Sequence, residues 1–201
     1  HAEEFYRHLW RDLIKNDFWR GEIWNRRKSG EEFIELLSIS AVRDEFGTVL
    51  HYMGVFSDIT LVKAHEDELG KIAHYDTLTG LPNRRLLNDR LGQALIRAQR
   101  EQSLLAVCFL DLDGFKSVND QYGHHIGDQL LIGVTGHLRN VLRANDTLAR
   151  MGGDEFVILL SDIKNSLECM QVLDRILLAA SHSVRVDEIV LQVSASIGVS
   201  L

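Results

Sequence analysis

One short stretch decides the fold expected of this chain: Arg150-Met151-Gly152-Gly153-Asp154-Glu155-Phe156. It is flanked by two runs of strand length, Thr147 to Arg150 and Phe156 to Leu160. Glycine adopts positive φ without steric cost, so the paired glycines predict a tight turn between the two strands. The stretch therefore predicts an antiparallel hairpin that carries two adjacent carboxylates at its tip.

The elements around this hairpin predict an α/β (α+β) sandwich. From His74 onward the order is helix, strand, helix, hairpin, helix and strand, and the run from Leu104 to Leu110 is apolar enough for a central strand. A capping box at Asn165 and Glu168 opens a helix through Ala180, and residues 189–199 return as β structure. The expected core is a central antiparallel or mixed sheet flanked by helices. The apolar positions that predict the first two helices are Leu87, Leu91, Leu95, Ala98, Leu131, Val134, Leu138 and Val141.

Carboxylates are expected to meet at one end of this sheet. Asp111 follows the central strand and Asp154 precedes the next one, so the fold can bring them together although they are 43 residues apart. Magnesium prefers oxygen ligands, and this pair can supply two of them. Glu155 adds a third carboxylate that either holds a second metal or removes a proton. Asp113 taken alone is better explained as a turn residue.

The first 60 residues have a different pattern. Residues 3–16 space Phe5, Leu9, Leu13 and Ile14 as one helical face, and three β-rich runs follow at 18–27, 32–43 and 48–58. The stretches Trp19-Arg20-Gly21-Glu22 and Gly54-Val55-Phe56-Ser57-Asp58-Ile59-Thr60 resemble a PAS sensor domain. We expect residues 1–60 to be the C-terminal part of such a domain, with an unrelated β meander as the alternative.

Residues 61–73 predict a helical connector. Val62 and Leu69 are seven residues apart and Ile72 follows three later, as in a short parallel coiled coil. A solvated single helix explains the same residues, because the heptad pattern is too short to exclude it.

Composition excludes several classes of protein. The formal charge of -7 argues against a nucleic-acid-binding protein. The two cysteines, Cys108 and Cys169, have neither disulfide nor metal-ligand spacing, so a reducing cytoplasmic setting fits. No apolar run reaches the length of a membrane span. His1 is not an initiator residue, so we expect a fragment of a longer protein that has room for membrane segments or other domains outside it.

Residues 74–201 resemble the GGDEF diguanylate cyclase family, with the C-terminal end of that domain missing. The hairpin tip is its signature, and three further stretches resemble its other motifs. These stretches are Asp76-Thr77-Leu78-Thr79-Gly80-Leu81-Pro82-Asn83-Arg84, Asp111-Leu112-Asp113-Gly114-Phe115-Lys116 and Asn119 through Asp128.

The resemblance implies an enzyme that condenses two GTP molecules into cyclic di-GMP and two pyrophosphates across a homodimer, with Mg²⁺ or Mn²⁺ as cofactor. It also implies roles for individual residues. Metal would be bound by Asp111, Asp154 and the Leu112 carbonyl, and phosphate by the amides of Gly114 and Phe115 and the ammonium of Lys116. Asp154, Glu155 and Lys116 would take part in catalysis, and Asn119 and Asp128 would read guanine.

Arg143 and Asp146 resemble the two ends of the family's Arg-x-x-Asp product site, which implies inhibition by cyclic di-GMP. Arg175 is a candidate for assisting that site from a neighbouring domain. Without the resemblance, Arg143 is a helix-end cation and Asp146 a turn residue. Asp128 has a comparable alternative as a helix N-cap after Gly127. The tandem His124-His125 lacks further ligands for zinc and is predicted to be a loop.

Two other functions remain open at this point. A GTP- or cyclic di-GMP-binding GGDEF domain could regulate an attached phosphodiesterase (EAL) domain. A PAS dimerisation unit with a passenger domain explains fewer of the motifs.

Overall fold

The computed structural model describes residues 3–201, apart from the side chain of Asp67. It contains mixed helix and sheet, as predicted, and divides between Leu69 and Gly70 into two compact units.

The first unit is a helix followed by a three-stranded sheet. Helix α1 spans Glu3–Asn16, and strands β1 (Phe18–Arg26), β2 (Glu32–Arg43) and β3 (Val49–Asp58) pair antiparallel in that order. The helix and all three strands match the ranges predicted from the sequence to within two residues. Leu9 and Leu13 are buried, as the helical spacing predicts, whereas Ile14 was predicted wrongly and is 64% exposed.

Helix α2 spans Thr60–His74, so the connector is helical as expected. The three apolar side chains on which the coiled-coil prediction rests, Val62, Leu69 and Ile72, are all more than half exposed. Exposed apolar side chains at heptad spacing are compatible with a paired helix and with a single solvated one, so both interpretations of the connector stay open.

The second unit is built on a four-stranded sheet in the order β5-β6-β4-β9, in which every neighbouring pair is antiparallel. The elements, in chain order, are α3 (Arg84–Glu101), β4 (Leu104–Asp113), α4 (Phe115–Tyr122), α5 (His124–Val141), β5 (Thr147–Gly152), β6 (Glu155–Ile163), α6 (Ser166–Ala180), β7 (Val184–Val186), β8 (Ile189–Leu191) and β9 (Ser194–Ser200).

Strand β4 is central, as predicted, and its two faces differ. Its even-numbered residues from Ala106 to Leu112 are buried in the main core, to which α5 and α6 contribute. On the other face, Leu105 packs in a smaller cluster with Leu87 of α3, but Phe109 further along the strand is 60% exposed. The residues of β4 that follow Phe109 on this face, Asp111 and Asp113, are exposed too. Half of one sheet face is therefore open to solvent.

Three details differ from the sequence prediction. Leu95 is 55% exposed, and Ala94 takes its place against the sheet-side cluster, beside the predicted Ala98. Residues 189–199 do not form one strand, because β8 pairs with β7 as a separate hairpin before β9 joins the main sheet. The prediction also lacked helix α4, which occupies a single short segment after the central strand.

Candidate active site

The carboxylates meet where the sequence predicts. Asp111 on β4 is the register partner of Glu155 on β6, and Asp154 directly precedes Glu155. Gly152 and Gly153 have φ values of 137° and 54°, so the turn uses the positive φ that glycine allows. The antiparallel pairing of β4 with β6 places all three acidic residues at one end of the open half of the sheet.

These carboxylates repel one another. Loss of hydration raises the pKa of Asp111, and the negative charges of Asp154, Glu155 and Asp113 raise it further. Within residues 3–201 no basic side chain forms an ion pair with Asp111, Asp154 or Glu155. A cation bound here would relieve this repulsion, which is the chemical argument for a metal at this edge.

The donor set fits a magnesium-type ion rather than a closed protein cage. Among the described residues no group of three or more histidine, cysteine or acidic side chains is arranged to enclose a metal. Magnesium is commonly held by one or two carboxylates, with water and substrate phosphate completing the shell. Asp111 and Asp154 match that requirement.

Asp113 has a different role from its neighbour Asp111. Its two carboxylate oxygens accept hydrogen bonds from the hydroxyls of Ser194 and Ser196, each at 2.9 Å. Asp113 therefore fastens β4 to the edge strand β9, and the interpretation of Asp113 as a turn residue was wrong.

The chain after β4 presents free backbone amides. Gly114 has a φ of 82° and begins α4, which has no side-chain cap at its N-terminus. By contrast, α3 and α6 are capped by the side chains of Asn83 and Asn165. Uncapped N-terminal amides bind anions well, and here they lie one turn beyond Asp111. The exposed Lys116 adds a positive charge to the same turn.

Asn119 and Asp128 lie on consecutive helices that share Gly123 as a cap, Asn119 on α4 and Asp128 on α5. The Oδ1 atom of Asn119 is buried without a hydrogen-bond partner. It lies against Gly127, where a Cβ atom would come within 1.9 Å of that oxygen. The sequence did not single out Gly127, whose function is to leave room for Asn119.

Two sequence interpretations near this pair were wrong. Asp128 lies inside α5, five residues into the helix, so it is not the N-cap. His124 and His125 are the first two residues of the same helix and not a loop. Gly123 leaves α5 without a side-chain cap.

A salt bridge ties the hairpin to the segment before α3. The Nη1 atom of Arg150 donates to both oxygens of Asp76, at 2.9 and 3.1 Å, while Nε and Nη2 donate to the Gly153 carbonyl. The two side chains are only 10% and 20% exposed. Burial alone would raise the pKa of Asp76, but hydrogen bonds from Thr79 and Arg150 outweigh it and lower that pKa. Sequence reasoning noted both residues but did not pair them.

Comparison with known proteins identifies this arrangement. The family described as "Diguanylate cyclase, GGDEF domain" matches residues 73–201, and a PAS domain family matches residues 1–61. The chain belongs to the GGDEF diguanylate cyclase family.

Relatives and solved structures agree with this assignment. MucR of Pseudomonas aeruginosa, a bifunctional diguanylate cyclase/cyclic di-GMP phosphodiesterase, is 46% identical over 134 residues, which are 67% of this chain and 19% of MucR. The diguanylate cyclase TpbB of the same species is 38% identical over 130 residues, 64% of this chain and 30% of TpbB. The coiled coil and GGDEF domain of Caulobacter crescentus DgcB, solved with c-di-GMP, superimposes with a TM-score of 0.60 at 26% identity, and the match covers 70% of this chain and 75% of that solved chain.

This chain thus spans less than a third of the length of either relative. None of the helices in the described part of the chain has the length and apolar character needed to cross a membrane.

The residues that resemble the GGDEF product site lie at the exit of α5. The Asp146 carboxylate accepts hydrogen bonds from the backbone amides of Arg143 and Ser161, at 2.9 and 3.2 Å, and so shapes the turn into β5. The Arg143 guanidinium pairs with Glu168 at 3.3 Å and is half exposed. Arg175 donates to the Val141 carbonyl at 2.6 Å, which places it near the same turn of its own domain.

Replacing Asp76 with asparagine should lower the free energy of unfolding by about 1–3 kcal/mol at pH 7, because the charge-assisted bonds to Arg150 are lost. Since folding lowers the pKa of Asp76, its contribution is complete above the unfolded-state value, near pH 4, and disappears as pH falls through the folded-state value. Urea unfolding from pH 7 to pH 3 should therefore show the two proteins converging. Asp89→Asn, an exposed carboxylate on α3, is the control, and a pH-independent difference would contradict the assignment.

If Asn119 contacts guanine, as the family resemblance implies, Gly127→Ala should displace it and weaken GTP binding by about tenfold, roughly the loss of one hydrogen bond, while the domain stays folded. Gly136→Ala on the same helix is the matched control, because a Cβ there meets nothing within 4 Å. Calorimetric titration with GTP checks both variants. Equal affinity of the two would show that Gly127 does not position Asn119.

Proposed function

We propose that this chain is the catalytic and regulatory part of a diguanylate cyclase, which condenses two GTP molecules into cyclic di-GMP with release of two pyrophosphates. One observation carries the proposal: the unpaired carboxylates of Asp111 and Glu155 are neighbours in register, and the uncapped amides of α4 follow one turn later. The first group suits a divalent cation and the second suits a polyphosphate.

Asp111, Asp154 and the Leu112 carbonyl would hold Mg²⁺ or Mn²⁺. The bound ion would neutralise charge that develops on phosphate oxygens during the reaction. The side chain of Leu112 is buried, so only its backbone is available for this role.

The remaining site residues bind and orient GTP. The amides of Gly114 and Phe115 and the Lys116 ammonium receive phosphate oxygens, and Asn119 with Asp128 reads the guanine base. A carboxylate at Asp128 accepts hydrogen bonds from the N1-H and amino group of guanine, which adenine lacks. Rejection of adenine follows because the carboxylate would be left unsatisfied.

The chemistry is an in-line attack by the 3′-hydroxyl of one GTP on the α-phosphorus of the other. Glu155 faces the open half of the sheet beside Asp111, where it would take the hydroxyl proton or hold a second cation. Positioning of the two nucleotides supplies most of the catalysis in such reactions.

Two GTP molecules need two half-sites, so we propose a homodimer. The exposed apolar positions of α2 support pairing through that helix, and residues 1–60 would set the relative placement of the two GGDEF domains as a PAS sensor does.

Arg143 and Asp146, with Arg175 beside them, would bind cyclic di-GMP and limit its synthesis. A cytoplasmic location follows from the use of GTP.

A second function is favoured by one observation. MucR is named as both cyclase and phosphodiesterase, so a related GGDEF domain exists in a protein that also degrades cyclic di-GMP. In that setting this chain would bind GTP or cyclic di-GMP and regulate an attached phosphodiesterase domain without synthesising the dinucleotide.

Product analysis separates the two functions. The natural polypeptide that contains this chain, incubated with GTP and Mg²⁺, should form cyclic di-GMP identifiable by mass spectrometry. Asp154→Ala should reduce the rate at least about 100-fold, since a charge-stabilising ligand is lost. Asp174→Ala, an exposed carboxylate on α6, should retain activity. Binding of GTP without turnover would support the regulatory function, and full activity of Asp154→Ala would remove that residue from the metal site.

Arg143→Ala should raise the cyclic di-GMP concentration needed for half-inhibition by about tenfold or more, because an arginine fork onto phosphate or guanine is lost. Initial rates at increasing added cyclic di-GMP measure this. Arg100 is an exposed arginine at the end of α3. The control is Arg100→Ala, which removes the same single positive charge from the protein. An unchanged inhibition curve for Arg143→Ala would place the product site elsewhere.

A further inference from the structure

A groove of 420 Å³ lies over the open half of the sheet. Its floor is apolar and includes Phe109 and Val157, and the carboxylate residues Asp111 and Glu155 border it. Arg84 contributes the basic group of its lining. None of the site assignments made above uses this arginine.

Two sets of hydrogen bonds fix the position of Arg84, one within its own helix and one to the hairpin. Arg84 is the first residue of α3, and the Asn83 side chain caps that helix by accepting from the amides of Arg85 and Leu86. The preceding Pro82 carbonyl accepts a hydrogen bond from the Arg150 amide at 3.0 Å. The start of α3 is thereby tied to the hairpin that carries the carboxylates, so Arg84 keeps its place relative to them.

The charge of Arg84 is available to a ligand. Several other arginines of this unit are engaged, Arg97 with Asp162 and Arg150 with Asp76 among them. In the described part of the chain the Arg84 guanidinium has no carboxylate within ion-pair distance, and its side chain is exposed. Arg84 also borders a second cavity of 540 Å³, which Arg85 and Gly152 line as well. An unpaired guanidinium beside a groove with opposing carboxylates suits a ligand that is both anionic and metal-bound.

The proposed cyclase reaction places such a ligand here. Terminal phosphates have donors at the start of α4, but the α-phosphoryl group has none among the residues assigned so far. In the reaction the 3′-oxygen forms a bond to the α-phosphorus, the bond from that phosphorus to the bridging oxygen breaks, and pyrophosphate leaves with the electron pair. The hydroxyl proton passes to Glu155 or to solvent, so the reacting phosphorus must lie close to Asp111 and Glu155. The groove is the space next to both.

We propose that Arg84 is a catalytic residue of this reaction, donating hydrogen bonds to the non-bridging oxygens of the α-phosphoryl group as it is transferred. The inference rests on the proposed function. Charge on these oxygens is redistributed in the transition state. A guanidinium that donates hydrogen bonds to them there stabilises the transition state more than the bound substrate, and so lowers the barrier.

The test compares Arg84→Ala, Arg84→Lys and the control Arg85→Ala. Arg85 is the adjacent arginine on α3 and lines only the second cavity, not the groove beside Glu155. Arg84→Ala should lower kcat about 100-fold or more while KM for GTP changes by less than about threefold. Arg84→Lys should recover part of the rate, because it restores the charge but not the fork. Arg85→Ala should retain the parent kcat.

Two further measurements exclude a purely structural effect. Binding of 3′-deoxy-GTP, which cannot attack, should be equal in the parent and in both Arg84 variants. Substituting sulfur for a non-bridging α-oxygen of GTP should slow the parent protein more than Arg84→Ala, because the variant has already lost the contact that sulfur disrupts. If Arg84→Ala unfolds, the same kcat, binding and sulfur measurements are made with Arg84→Lys and compared with the parent protein.

The outcomes are distinguishable. If the parent polypeptide forms no cyclic di-GMP, the proposed function fails. If the parent is active but Arg84→Ala matches Arg85→Ala in kcat, or shows the parent's sulfur effect, the assignment of Arg84 is overturned and the proposed function stands.

Discussion

The buried salt bridge between Arg150 and Asp76 is the interaction on which the site depends. Arg150 spans the turn by binding the Gly153 carbonyl, and the same guanidinium holds Asp76 in the segment that leads into α3. The backbone hydrogen bond from the Arg150 amide to the Pro82 carbonyl supports the same connection. Together these contacts fix where the acidic tip lies relative to the start of α3, so one residue, Arg150, connects the two walls of the groove.

The open half of the sheet is the second constraint. A fully covered sheet would bury more apolar area and be more stable, yet α3 packs only against its first part and leaves Phe109 in solvent. In the described part of the chain the carboxylates at the end of the open half form no ion pair, and they repel one another. Both features oppose stability in the isolated domain, and both would be relieved if the proposed nucleotide and its cation bound at this surface. Such local conflict is typical of functional sites.

The hairpin, the central strand and the approach of Asp111 to the acidic tip could be predicted because glycine turns and apolar runs are local signals. The sequence paired Asp111 with Asp154, however, whereas its register partner is Glu155. Contacts between distant segments could not be predicted. Nothing in the spacing of Arg150 and Asp76 indicates that they pair, and the clearance at Gly127 depends on how α4 meets α5. The exposure of Leu95 was missed because helical periodicity predicts a face but not how far the sheet extends beneath it. The His124-His125 segment was taken for a loop because polar residues are ambiguous between a loop and a first helical turn.

Gly123 ends α4 and begins α5, so the two helices join without an intervening loop. Asn119 and Asp128 therefore belong to one stiff corner, and their separation is set by helix geometry. A guanine base bound there, as proposed, would meet donors and acceptors already in place, and no chain segment would have to become ordered around it. The conformational entropy lost on binding would then fall on the nucleotide rather than on the protein, which would favour rapid exchange of substrate without loss of selectivity.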